Sequence, residues 1–195
     1  KRVAYDSTMA GNLEIYIMDC GDLIRETDCK TQQLTQQSGP DEFPAWSPDG
    51  KRIAFQALRT ERREIYVMNL CDNETCDRNL TKPQLLYTGY FSHAGPAWSP
   101  DGQKLAFSAA SVSQWSIYVL DADCYALPSG CQGTAKQLTE ATMNSFQPAW
   151  SPDGRSIVFQ GWVDGNMELF VMDASGDSLR RLTHNNVDDR LPAWW

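Results

Sequence analysis

The heptapeptide Pro-Ala-Trp-Ser-Pro-Asp-Gly occurs three times, at Pro44–Gly50, Pro96–Gly102 and Pro148–Gly154, and its first half returns at Pro192–Trp194. Self-similarity at a period near 50 residues means a copied supersecondary unit, and such a unit cannot bury its apolar faces without neighbours. With Trp46, Trp98, Trp150 and Trp194 as markers, the spacings are 52, 52 and 44 residues, enough for four short strands and their turns.

The first strand of each unit is the Pro-Ala-Trp segment. Ser-Pro-Asp-Gly closes it into a hairpin, with proline fixing φ and glycine relieving the exit. The second strand reads Arg52-Ile53-Ala54-Phe55, Lys104-Leu105-Ala106-Phe107, Ser156-Ile157-Val158-Phe159 and, at the start of the chain, Arg2-Val3-Ala4-Tyr5. The third reads Ile15-Tyr16-Ile17-Met18, Ile65-Tyr66-Val67-Met68, Ile117-Tyr118-Val119-Leu120 and Leu169-Phe170-Val171-Met172. These runs are apolar without alternation, which predicts cover on both faces of the sheet. The fourth strand is assigned to Gln33-Leu34-Thr35, Gln137-Leu138-Thr139 and Arg181-Leu182-Thr183, and in the second unit to Leu80-Thr81 or Leu85-Leu86.

Small four-stranded sheets, each covered on both sides by its neighbours, describe an all-β propeller. The repeats predict one domain over 1–195, with units at about 1–43, 44–95, 96–147 and 148–191 and with 192–195 completing the first blade. The recurring tryptophans read as blade packing. The order Pro-Ala-Trp-Ser-Pro-Asp-Gly, Lys-Arg-Ile-Ala-Phe, Ile-Tyr-Val-Met, Leu-Thr resembles the TolB-type propeller repeat over nearly the whole chain. The resemblance implies a propeller, often periplasmic or secreted, used as a docking platform or as the gating domain of some serine peptidases. The chain departs from TolB in its short array and in its cysteine-bearing inserts.

The two ends complement each other, because Leu191–Trp195 lacks a following hairpin strand and Arg2–Tyr5 lacks a preceding one. Joined within one molecule they predict a closed ring of four blades of four antiparallel strands, which removes exposed edges. Joined between molecules they predict self-association through Leu191–Trp195 and an extracellular fibre. The third arrangement is four blades of a longer array. Closure within one molecule is favoured by effective concentration where the geometry permits it.

Six cysteines fall as three local pairs, Cys20 with Cys29, Cys71 with Cys76 and Cys124 with Cys131, each between the third and fourth strands. The fourth unit lacks both the cysteines and the insert. Neighbour pairing repeats one staple in three units, which predicts disulfides and an extracytoplasmic setting, periplasmic, cell-surface or secreted. The irregular separations, with no histidine beside them, speak against zinc. Asn73 and Asn79 head Asn-x-Thr sequons and are candidate glycosylation sites. The start at Lys1 fits a secreted chain with its leader removed. A net charge of −8 argues against nucleic acid or an anionic membrane as partner, and no apolar stretch predicts membrane insertion.

No Gly-x-Ser-x-Gly elbow, phosphate-cradling glycine loop or twelve-residue calcium loop is present. His93 and His184 have no nucleophile or carboxylate at motif spacing and read as solvated loop residues. Asp49, Asp101 and Asp153 read as turn residues. Asp41-Glu42 and Asp188-Asp189 occupy equivalent loops and form a possible acidic rim for a hard cation. The expectation is no enzyme, no cofactor and no resident metal.

What remains is the loop face opposite the Ser-Pro-Asp-Gly turns. Trp115, Trp162, Arg62, Arg63, Tyr90 and Phe91 are the candidate binding residues there, since aromatic and arginine side chains on loops are the material of hot spots. The expected function is a non-catalytic platform for a protein or glycan partner. The alternatives are the fibre subunit and the propeller of a larger secreted peptidase.

Overall fold

The computed structural model describes residues 1–21, 29–59, 61–70, 82–88, 93–111, 114–126, 131, 134–140 and 142–194. Four antiparallel sheets follow one another along the chain. The first holds β1 (Arg2–Ser7), β2 (Glu14–Asp19) and β3 (Lys30–Gln33). The second holds β4 (Asp41–Trp46), β5 (Arg52–Arg59), β6 (Arg62–Asn69) and β7 (Gln84–Thr88). The third holds β8 (His93–Trp98), β9 (Lys104–Ser111), β10 (Gln114–Asp121) and β11 (Lys136–Gln137). The fourth holds β12 (Asn144–Trp150), β13 (Ser156–Val163), β14 (Asn166–Asp173) and β15 (Arg180–Arg181). Each is a simple meander, as the repeats predict.

Three apolar cores lie between sheets rather than one at a centre. Ile15, Ile17, Ile53 and Phe55 join the first pair of sheets, Ile65, Val67, Leu105 and Phe107 the second, and Ile117, Val119, Ile157 and Phe159 the third. Ala54 and Ala106 face the opposite way from their large neighbours, so each second strand serves two interfaces. This is the physical cause of the unbroken apolar runs. Phe55, Phe107 and Phe159 have no exposed surface, and burial of each stabilises by about 1.5–3 kcal/mol.

The Ser-Pro-Asp-Gly turns are closed by their own side chains. Ser47 Oγ donates to Asp49 Oδ1 at 2.6 Å and accepts from the Arg52 N–H at 2.9 Å, while Asp49 accepts from the Lys51 N–H at 3.0 Å. Gly50 adopts φ 67°. Ser99 with Asp101 and Ser151 with Asp153 repeat the arrangement.

One expectation is corrected and one alternative is decided. The Leu-Thr pairs lie just beyond the fourth strands rather than in them. Thr35, Thr139 and Thr183 each accept the N–H of Ile15, Ile117 and Leu169 at 2.9 Å, a hydroxyl standing in for a ladder carbonyl. In the second sheet the fourth strand contains Leu85-Leu86; Leu80-Thr81 falls outside the described residues.

Ring closure also fails. Among the described residues, 191–194 form no strand, β1 pairs with β2 alone, and the first and fourth sheets make no substantial contact. The sheets form an open arc.

Candidate functional site

The hairpins from second to third strand and the blade-to-blade connections share one end of the arc. Below them, in three of the four sheets, a glutamate stands just before the apolar run of the third strand. Glu14 accepts from the Thr35 hydroxyl and the Gln37 N–H, both at 2.7 Å. Glu64 accepts from the Tyr66 hydroxyl at 2.8 Å. Glu168 accepts from the Thr183 hydroxyl, from Asn166 Nδ2 at 2.9 Å and from the Asn185 N–H at 3.1 Å, with Arg181 Nη2 at 3.0 Å. All three are buried. The Thr183 hydroxyl above all holds the Glu168 carboxyl down to about 2. Ser116 takes the place in the third sheet, receiving Gln137 Nε2 at 3.1 Å. Glu14 and Glu168 tie their third strands to inter-blade connections, and sequence reasoning passed over them. The available signal was glutamate immediately before the apolar run in three of four units.

The acidic rim is internally paired. Asp41 is fully buried with Arg59 Nη2 at 2.7 Å, and burial outweighs that guanidinium in raising its carboxyl above the usual range. Glu42 binds Arg63 and accepts from Gln56 Nε2 at 2.9 Å. Asp188 accepts from the Met167 N–H at 2.8 Å and pairs with Arg190 at 2.6 Å. Among the described residues no His, Cys, Asp and Glu side chains gather to hold a metal ion.

The candidate binding residues divide. Trp115 is half-buried, with its ring 5.2 Å from that of Phe146 in the next sheet, so it packs between blades. Arg63 is engaged by Glu42, and Arg62 is exposed. Trp162 is 44% exposed. Its hairpin is fixed from both sides: Arg181 Nη1 binds Asp164 at 2.7 Å, and Asn166 Nδ2 donates to the carbonyls of Val187 and Asn185 at 2.8 and 3.1 Å. Arg62 and Trp162 therefore stand on the hairpins of the second and fourth sheets. Tyr90, Phe91, Cys71, Cys76, Asn73 and Asn79 fall outside the described residues. His184 is exposed. Cys20–Cys29 and Cys124–Cys131 are disulfide-bonded. No helix among the described residues is long and apolar enough to cross a membrane.

Residues 87–195 match the family model described as the TolB beta propeller domain, PD40. A TolB homologue of Chlorobium luteolum is 31% identical over 174 residues, covering 88% of this chain and 34% of that protein. An uncharacterized peptidase of Bacillus subtilis, YuxL, is 30% identical over 118 residues, covering 59% of this chain and 16% of that protein. The crystal structure of TolB from Acinetobacter baumannii matches with a TM-score of 0.74 at 23% identity, covering 97% of this chain and 42% of that one, a likeness of fold. The chain spans less than half the length of each of these proteins.

Proposed function

The chain belongs to the TolB β-propeller family, and on that premise we propose that it is a non-catalytic, extracytoplasmic binding propeller that presents its hairpin face to a protein partner. The observation carrying this reading is Trp162, a large aromatic side chain 44% exposed on a hairpin held by Arg181, Asp164 and Asn166. A rigid, exposed aromatic loses little conformational entropy on being covered, which is what an interface anchor needs. Arg62, exposed two sheets away, supplies a second anchor of the kind that interfaces favour. The disulfides support an oxidising compartment, and with it the periplasmic, cell-surface or secreted setting.

The test is a photo-crosslinking side chain placed at position 162 and, separately, at position 115, in cells that make the chain. The reading requires one dominant protein adduct from 162 and none from 115. Equal labelling at both positions, or none at 162, overturns it. A second reading, the gating propeller of a larger peptidase, is supported by the 30% identity to the Bacillus peptidase. A third, strand donation to another copy, is supported by the inner-strand bend that Leu191 keeps at φ 53°.

A further inference from the structure

The outer faces of the first and fourth sheets are made of the residues that fill the interfaces between sheets. In the third interface Ile117 and Val119, buried, and Leu138, half-buried, meet Ile157, Phe159 and Met172 of the next sheet. On the outer face of the fourth sheet the same places are held by Leu169 and Val171, both half-buried, and by Leu182, which is exposed. On the outer face of the first sheet the places of Ile157, Phe159 and Met172 are held by Val3, Tyr5 and Met18. Val3 is 57% exposed, whereas Ile53, Leu105 and Ile157 have no exposed surface. One outer face therefore carries one half of the repeated interface, and the other face carries the other half.

The strand edges complement each other in the same way. Among the described residues β5, β9 and β13 each lie between two strands, and β1 has an open edge. Residues 192–194 stand where an inner strand begins but form no ladder. Leu191 keeps the bend of that strand at φ 53°, with its N–H on Gln160 Oε1 at 2.9 Å. Trp194 is 43% exposed, against 8% for Trp98 and Trp150. In the four-stranded sheets the Ala-Trp pair of the inner strand has a fixed register: Ala45 and Trp46 face Ala54 and Ile53, and Ala97 and Trp98 face Ala106 and Leu105.

We propose that the outer face of the fourth sheet, with residues 192–194, docks on the first sheet of a second copy of this chain and gives β1 the inner-strand neighbour that β5, β9 and β13 already have. The contact joins two different faces, so it runs head to tail. The proposal rests on the strand-donation reading and supplies its acceptor and its register: Ala193 faces Ala4 of the second copy, and Trp194 faces Val3. Charge complementarity supports this occupant. Where Glu42 faces Gln56, the same register sets Arg190 opposite Asp6 of the second copy. Strand alternation puts Trp162 on the same face as Val158, so the second copy also bears on the partner of that side chain.

The experiment is sedimentation of the oxidised chain over a wide range of concentration. The parent chain should associate progressively, and Trp194→Asp, which blocks the donor, and Val3→Lys, which blocks the acceptor edge, should each weaken association at least about tenfold. Both side chains are exposed in the single chain, so neither change removes a packed one. Mixed together, the two blocked variants keep one intact donor and one intact acceptor, and should form a pair of twice the 21.9 kDa chain mass. Association lost in Trp194→Asp but kept in Val3→Lys would overturn the acceptor and leave strand donation standing. A parent chain that stays monomeric, or blocked variants that do not pair on mixing, overturns the proposal; a monomeric parent also removes strand donation and leaves a foreign protein as the partner of Trp162.

Discussion

The backbone N–H of Leu191 donates to Gln160 Oε1 at 2.9 Å, as that of Gln147 donates to Ser108 Oγ at 3.0 Å and that of Phe43 to Asp6 Oδ2 at 3.1 Å. Each of these residues precedes the proline of the repeat and has positive φ, 53°, 52° and 55°, a conformation rare for residues with a side chain. The inner strand is bent at this point, and the preceding sheet holds the bend through one side-chain acceptor. Leu191 shows that the bend forms without a strand paired beside it.

Removing that acceptor should loosen the end of the arc. Gln160→Ala removes one hydrogen bond, worth about 0.5–1.5 kcal/mol net. Amide hydrogen exchange at Leu191 should accelerate by roughly 3- to 10-fold, with exchange in β5 and β6 unchanged. Equal acceleration in those strands would refute the local role.

Acid should weaken the fold through Glu168. Its carboxyl sits at about 2 in the folded chain against an ordinary 4.5. A depressed folded value means stabilisation present above pH 4.5 and lost as pH falls toward about 2. Asp41, raised by burial, acts with the opposite sign, favouring the fold when protonated. Thermal melting of Glu168→Gln between pH 5 and pH 2 should therefore show a shallower fall in Tm than the parent chain.

The two best-placed tryptophans should separate cleanly. Trp150 is 8% exposed within an inter-blade core, and Trp150→Ala should cost about 3–5 kcal/mol in denaturant unfolding. Trp162→Ala, at an exposed hairpin position, should change stability by no more than about 0.5 kcal/mol while removing partner binding. A large stability loss at 162 would make that side chain structural.

The cysteines are tested by mass. Alkylation without reduction should modify none of the six cysteines, and reduction should add the mass of six hydrogens. An alkylated fraction before reduction would identify an unbridged pair, and Cys71 with Cys76 would be the first to examine.

The meander and its two-faced strands were legible because residues such as Ile65, Tyr66, Val67 and Met68 state directly that no face is wet. The turns were legible because proline, aspartate and glycine have few other uses in that order. Closure was not legible. The patterns of Arg2–Tyr5 and Leu191–Trp195 look like two halves of one hairpin, but a local pattern carries nothing about where the two ends lie in space, and in the structure β1 pairs with β2 alone. Leu34-Thr35 was misread because an apolar residue beside a β-branched one looks like strand; only the donors at Ile15 and Glu14's acceptance show the threonine as a cap. Trp115 fell outside the repeat pattern, which marked it for binding, yet its partner Phe146 is itself outside the pattern and cancels the signal.

The bonded cysteines are nine and seven residues apart. Loops of about ten residues close in roughly 10–100 ns. Each thiol therefore reaches its partner by local chain motion, without needing another blade to position it. Oxidation is thereby separated from blade assembly, and the nearest thiol along the chain is the correct one. Each staple can therefore be set independently of the blades that do not contain it.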